Sequence, residues 1–232
     1  MMVNAMDLID AAIADLEGCL NLQPGEIPHR KKGEKKGSAK PKTEKKKAEI
    51  PTKQKGAVAN ENQPDICKLE FKVGVITKVW VHPDADKLYC EEIDVGEEVP
   101  RQIASGLRPH FSEEQMLGQR LLVASNLKAK NLVGFKSHGM VLCAAEPIDD
   151  ENEKVEFVEP PEGAAIGEIV TFEGLPPPEP FSPAQVDKKK AWQKAADGMK
   201  TTEGRLAAWN GHVFMTSAGP CQTMTIAGGV MR

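Results

Sequence analysis

The stretch LEFKVGVITKVWVHP, residues Leu69–Pro83, alternates hydrophobic and polar side chains and is rich in β-branched residues. Successive side chains of a strand point to opposite faces, so this pattern predicts a half-buried β-strand. Pro83 cannot donate a hydrogen bond to a neighbouring strand and marks the end of this one. The stretch therefore predicts a β-rich body that begins near Ile66.

Further strand-like segments follow this first one. They are KLYCEEIDVGEE with a turn at Gly96, RQIASGL, QRLLVASNL and HGMVLCAAE. Between the third and fourth strands, SEEQMLG predicts a short helix capped by Ser112. Five strands with one intervening helix fit a small Greek-key barrel of the oligonucleotide-binding (OB) type. A sandwich of short strands fits the same pattern.

Charge is separated along the chain, although the net charge is only −4. Residues 1–29 hold five acidic residues and no Lys or Arg, whereas residues 30–55 hold twelve Lys or Arg against three Glu. Residues 146–186 carry eleven acidic side chains and one lysine. This separation by sign predicts modules that act separately.

Residues 1–22 predict an amphipathic helix, because apolar residues recur at alternating spacings of four and three. These residues are Met2, Met6, Ile9, Ile13, Leu16 and Leu20. An isolated helix of this length is marginal in water, so its apolar stripe must pack against something. A partner protein, another copy of the helix and the chain's own downstream domain all fit.

Residues 23–64 predict a disordered basic linker, since they offer almost no large apolar side chain to bury. Its lysines can neutralise nucleic-acid phosphates and give salt-sensitive binding. Lysine-rich segments also serve as spacers or solubilising tails, so the linker alone does not decide between these functions.

Several classes of protein are not expected from this sequence. It lacks an apolar run of about 18 residues, which argues against a membrane span. The acidic N-terminus argues against a secretory or mitochondrial signal, so a cytoplasmic location is expected. Five widely spaced cysteines without a CxxC pair indicate neither a zinc knuckle nor a disulfide framework. No GxSxG, HExxH, P-loop or Rossmann motif occurs, so we predict no enzyme, catalytic residue, metal or cofactor.

Four motifs occur in an order that resembles a known family. They are HPDADKLYCEEIDVGE (82–97), PRQIASGL (100–107), NLKAKNLVGFKSHGM (126–140) and EPPEGAAIGEIVTFEG (159–174). Together they resemble the tRNA-binding domain of the endothelial monocyte-activating polypeptide family. This domain also occurs in the yeast synthetase cofactor and at the C-terminus of many methionyl-tRNA synthetases. The resemblance implies a mainly β, five-stranded OB-fold barrel over residues 65–174.

Residues 175–232 resemble the C-terminal extension of the family's long form, with Trp192, Gly211 and the CQTM run at 221–224 aligned. In that form the extension packs on the barrel and takes the place of a second subunit. The resemblance thus implies a dimer-mimicking extension and a monomeric barrel.

The resemblance implies a noncatalytic tRNA-binding protein that serves aminoacyl-tRNA synthetases. The methionyl and glutamyl enzymes are candidate partners, docked through the N-terminal helix. The segment FKVGVITK (71–78) also resembles the cytokine-associated heptapeptide of the vertebrate polypeptide, although it departs from it at Lys72 and Val75. A secreted signalling protein is therefore the alternative.

The segment 126–140 contains three lysines, one histidine and two glycines but no acidic residue. Lysines neutralise phosphates, and a serine hydroxyl can donate to a phosphate or a 2′-OH. The resemblance places Ser137 and Met140 of the SHGM tetrad among residues implicated in tRNA binding, with His138 in place of the usual Gln. The candidate tRNA-binding residues are Lys87, Lys128, Lys130, Lys136, Ser137 and Met140, and the resemblance adds Arg101 and Asn126.

Structural alternatives remain for these residues. Met140 also fits the first core residue of the fifth strand, and the loop lysines also fit a solvated surface. Lys87 can reach RNA or pair with Asp84 or Asp86. Phe135 can stack on a base or pack in the core.

Overall fold

The computed structural model describes residues 62–149 and 152–232. The predicted helix (1–22) and nearly all of the predicted linker (23–64) lie outside the described residues and stay predictions. The alternating stretch Leu69–Pro83 forms β1 (Phe71–Val81), preceded by a 3-10 helix at Asp65–Lys68. Phe71 and Val73 of β1 are buried on one face, as the alternation predicts, whereas Ile76 is buried on the opposite face in a second hydrophobic cluster.

The barrel strands are β1 (Phe71–Val81), β2 (Tyr89–Asp94), β3 (Arg101–Ser105), β4 (Arg120–Ala124) and β7 (Met140–Val141). These five antiparallel strands form one sheet in the order β3-β2-β1-β4-β7. The edge strand β3 meets the segment before β7, where the His138 N–H donates to the Gln102 carbonyl at 2.8 Å. The sheet is thus nearly closed, which confirms the OB-type barrel over the sandwich.

The predicted helix between the third and fourth strands is α1 (Glu113–Met116). Its capping box is complete: the Gln115 N–H donates to Ser112 Oγ, and the Ser112 N–H donates to Gln115 Oε1 at 2.9 Å. These bonds satisfy backbone groups that a helix start leaves unpaired. Met116 is fully buried and anchors the helix in the barrel core.

The predicted fifth strand divides into two. β7 (Met140–Val141) pairs with β4, but β8 (Cys143–Pro147) leaves the barrel sheet and pairs with β9 (Glu153–Phe157). Leu142, between them, is fully buried. The division arises because HGMVLCAAE faces two different neighbours along its length.

Residues beyond β9 form β10 (Thr171–Phe172), and the extension forms α2 (Pro183–Lys189), α3 (Ala191–Ala196), β11 (Met199–Thr201), β12 (Ala207–Trp209), β13 (His212–Thr216), β14 (Gly219–Pro220) and β15 (Val230–Met231). The strands of the extension complete a second sheet in the order β10-β13-β12-β11-β15-β8-β9, with β14 beside β13. β15 pairs directly with β8, matching Val230 with Ala145.

One hydrophobic core joins the barrel and the extension. Phe71 of β1 contacts Phe172 and Phe214, with ring centroids 6.4 Å and 5.4 Å apart. Phe181, Val186 and Met231 of the extension belong to the same buried cluster. The extension therefore packs on the barrel, and its replacement of a second subunit stays a prediction, as do the domain bounds at 65–174 and 175–232.

A membrane-spanning helix is not found among the described residues, because none of their helices is both long and apolar enough.

Candidate nucleic-acid interface

The lysine-rich segment is a β-hairpin rather than an irregular loop. β5 (Lys130–Leu132) pairs with β6 (Phe135–Ser137), and Val133 and Gly134 form the turn with φ of 49° and 90°. Asn131 Oδ1 accepts the Gly134 N–H at 2.7 Å and stabilises this turn. A two-residue turn with two positive φ values matches the right-handed twist of hairpin strands. We call residues 130–137 the lysine hairpin.

Ser137 anchors the lysine hairpin to the barrel. Its buried Oγ accepts the Ala104 N–H of β3 at 3.1 Å and donates to the Gly139 carbonyl at 3.0 Å. A Cβ on Gly139 would lie 3.0 Å from Ile103 Cδ1 and 3.1 Å from the Ala124 carbonyl, so the chain passes this point close to the barrel. Ser137 thus positions the hairpin, and its predicted RNA contact stays a prediction.

Aromatic side chains join the lysine hairpin to the loop between β1 and β2. Phe135 meets Trp80 and His82 edge-on, with ring centroids 6.0 Å and 6.3 Å apart. The joined loop, residues 82–88, carries Lys87. In OB folds, the loops after the first and fourth barrel strands flank the surface that binds oligonucleotides. The contact therefore brings the two predicted sources of positive charge to one end of the barrel.

Lys87, Lys130 and Lys136 are exposed, and within residues 62–149 and 152–232 no ion pair involves them. Asp86, one suggested partner of Lys87, faces Arg108 at 3.8 Å instead. Lys128 pairs with Asp187 of α2 at 3.0 Å, and both side chains are more than half exposed. Such a surface pair contributes little stability, so a phosphate can replace the aspartate.

Arg101 lies at a barrel edge and is engaged within the protein. Its guanidinium pairs with Glu97 at 2.7 Å and donates to the Ser125 and His138 carbonyls. The hydrogen bond from Arg101, with further help from Lys72, lowers the pKa of Glu97 to about 2 although partial burial opposes the shift. Arg101 therefore connects β3 to the segments on both sides of the lysine hairpin.

Asn126 and Met140 also take part in internal packing. The buried Asn126 side chain bonds Glu70, Lys68 and Phe181 through their backbones. Met140 is half-buried against the main core cluster. For both residues the predicted tRNA contact stays untested, and the geometry favours a positioning role.

Glu91 is a residue that the sequence analysis missed. It lies on β2 opposite Ile103 and is fully buried, and burial raises the pKa of its carboxyl to about 8 although the Ser105 hydroxyl donates to it. Its Oε2 has no hydrogen-bond partner among the described residues. The sequence pattern indicates that Glu91 is buried, because this residue shares a strand face with the apolar Tyr89 and Ile93.

The described residues contain no group of three or more His, Cys, Asp or Glu side chains arranged to hold a metal ion. The four described cysteines (Cys67, Cys90, Cys143 and Cys221) are buried and free.

Comparisons with known proteins agree with this geometry. The sequence model of the tRNA binding domain family matches residues 71–169. The crystal structure of the C-terminal domain of Plasmodium vivax p43 superposes with a TM-score of 0.66 at 34% identity, and the match covers 72% of this chain and 99% of that one.

Longer proteins share the same region. A probable methionine–tRNA ligase of Oryza sativa subsp. japonica is 41% identical over 206 residues, which are 89% of this chain and 25% of the rice protein. The aminoacyl tRNA synthase complex-interacting multifunctional protein 1 of Cricetulus griseus is 36% identical over 204 residues, 86% of this chain and 54% of that protein. The cytoplasmic tyrosine–tRNA ligase of Xenopus tropicalis is 37% identical over 177 residues, 75% of this chain and 33% of the ligase.

This chain thus spans between a quarter and about half of the length of these curated relatives. The near-complete match to the p43 domain, the matched family model and the barrel with its lysine hairpin confirm the family expected from the four motifs. The chain belongs to the family of tRNA-binding domains found in the synthetase complex-interacting protein and at the C-terminus of methionyl-tRNA synthetases.

Proposed function

We propose that this protein binds tRNA without catalysing a reaction and serves as a cofactor of aminoacyl-tRNA synthetases in the cytoplasm. One observation carries the proposal. Lys130 and Lys136 stand exposed on a hairpin that Ser137 and Phe135 hold against the barrel. Because the hairpin backbone is held in place, only the lysine side chains must be ordered when they meet a phosphate backbone.

Binding by this surface relies mainly on charge and shape. The lysines neutralise phosphates, and the rigid barrel end follows the contour of a folded RNA. The relatives that share this domain are named as tRNA ligases or as a protein that interacts with a synthase complex. These names support a domain that carries tRNA beside a catalytic partner.

The test compares two pairs of lysines in titrations of labelled tRNA at several salt concentrations. The Lys130→Ala and Lys136→Ala double variant should bind more weakly, and its plot of log affinity against log salt should flatten by roughly 0.7 to 0.9 per lost contact. Lys194→Ala with Lys200→Ala removes equal charge from exposed sites of the extension and should leave the slope unchanged. Equal slopes for both double variants would contradict the proposal.

Docking on a synthetase is the second part of the proposal and rests on the apolar stripe predicted for residues 1–22. Ile9→Glu with Ile13→Glu should abolish recovery of a methionyl- or glutamyl-tRNA synthetase by the full chain while tRNA affinity stays unchanged. Ala11→Glu with Ala14→Glu adds the same charge on the opposite face and should preserve recovery. Full recovery by the Ile9 and Ile13 variant would remove the docking role.

The signalling alternative receives no comparable support. Phe71, Val73 and Ile76 of the segment that suggested it are buried in β1. A receptor could reach these side chains only after the barrel opened.

A further inference from the structure

A cleft of about 370 Å³ opens beside the lysine hairpin. Its walls are mainly apolar and include Leu107, Leu127, Leu132, Met140 and Val155. Cavities that bind small organic groups occupy about 300 to 1,000 Å³ and combine apolar walls with a few polar groups. The cleft is therefore large enough for a flat ring system.

Cationic side chains contribute to the lining of this cleft. Lys128, Lys130 and His110 line the cleft. Arg232 also lines it, but its guanidinium is paired with Glu153. An apolar floor with lysines at its edge matches a nucleotide, which joins a flat base to a charged phosphate.

One polar side chain of the cleft lining is held by a buried partner. Ser105 lines the cleft, and its hydroxyl donates to the fully buried Glu91. With its hydrogen directed at Glu91, Ser105 Oγ keeps lone pairs that can accept a hydrogen bond. The amino group of a base would find an acceptor in Ser105 Oγ.

We propose that the cleft holds one unstacked nucleobase of the bound tRNA, with the adjoining phosphate against Lys128 and Lys130. This inference rests on the proposed function and adds a subsite to it. Single-stranded loops and ends of RNA present such bases, whereas a continuous duplex keeps them stacked. The cleft would thus distinguish tRNA from a duplex of equal charge.

Gly106 is a position where a side chain can be added at the cleft lining without disturbing the barrel. It lies on the cleft lining, and a Cβ built there meets no atom within 4 Å. Its φ lies outside the left-handed region, so residues other than glycine can adopt this backbone conformation. Gly204 is a matched control outside the cleft, where a Cβ meets only Thr202 Oγ1 at 3.7 Å. Gly106→Leu and Gly204→Leu should therefore both fold.

The experiment measures the affinity of the full chain for tRNA and for a blunt RNA duplex at the same salt concentration. Gly106→Leu should bind tRNA about tenfold more weakly, as expected for the loss of one base contact, and should bind the duplex like the parent protein. Gly204→Leu should leave both affinities unchanged. Equal weakening toward both RNAs by Gly106→Leu would overturn the proposal.

The two sets of variants distinguish the proposed function from this subsite. If Gly106→Leu binds tRNA like the parent while the Lys130 and Lys136 double variant binds weakly, the subsite is wrong and tRNA binding by the hairpin stands. If neither variant changes tRNA affinity, both proposals are wrong.

A second measurement uses the unchanged protein. Photo-cross-linking with tRNAs that carry a photoreactive analogue of each of the four bases in turn should attach RNA to peptides with cleft residues such as Leu107 or Met140, identified by mass spectrometry. Cross-links confined to peptides outside the cleft would contradict a bound base.

Discussion

Replacing Asn126 with alanine should weaken the fold much more than it weakens RNA binding. Asn126 Oδ1 accepts the Glu70 N–H at 2.9 Å, and its Nδ2 donates to the carbonyls of Lys68 and Phe181 at 2.9 Å and 3.0 Å. One buried side chain thus joins the start of β1 to the extension. Asn126→Ala removes all three bonds.

The magnitude follows from the groups that lose a partner. The Lys68 carbonyl keeps a second donor, the Phe181 N–H at 2.9 Å, whereas the Glu70 N–H and the Phe181 carbonyl lose the bond to Asn126. Each buried group left unpaired costs about 1–3 kcal/mol, so the free energy of unfolding should fall by about 2–6 kcal/mol. For a domain of this size that corresponds to a decrease in Tm of roughly 2–4 °C per kcal/mol.

Urea unfolding followed by tryptophan fluorescence measures this loss, and tRNA titration below the unfolding transition measures binding. Asn131→Ala is the matched control, because Asn131 is exposed and its single turn bond should cost below about 1 kcal/mol. The affinity of folded Asn126→Ala for tRNA should stay within about twofold of the parent. Unchanged stability with a tenfold loss of affinity would refute the reasoning and make Asn126 a direct RNA contact.

Two further predictions concern buried features. Burial raises the pKa of Glu91 from 4.5 to about 8, so between these pH values the folded state holds a proton that the unfolded state releases. The free energy of unfolding should therefore fall as pH rises from 4.5 to 8, by up to about 1.4 kcal/mol per pH unit. In denaturation series at different pH, Glu91→Gln should remove this slope and Glu92→Gln should keep it; a slope that survives Glu91→Gln would contradict the assignment. Gly96→Ala places a Cβ 2.8 Å from Gly167 Cα, whereas Gly118→Ala, at a similarly positive φ, meets no atom within 4 Å. Thermal melts should therefore show a larger loss for Gly96→Ala, and equal losses would mean that φ alone sets the cost.

The chemistry of the candidate site could be predicted only in part. The lysines of residues 126–140 stand in a segment without acidic residues, so their exposure as cations followed from local composition. The same segment does not reveal whether the Ser137 hydroxyl forms hydrogen bonds with RNA or with the protein. The backbone N–H that donates to it belongs to Ala104, which is 33 residues away in the chain. Glu91 could have been found from strand alternation, but its partner Ser105 comes from the register between β2 and β3.

The sequence by itself determined the elements whose signals are local: the alternation of β1, the turn at Gly96 and the helix capped by Ser112. Only the tertiary structure decided that HGMVLCAAE divides between two sheets and that β15 pairs with β8. It also decided that Lys130 and Lys136 lie on a hairpin beside a cleft. The physical reason is that strand pairing and burial depend on partners far apart in the chain, whereas turns, caps and side-chain alternation are set by neighbouring residues.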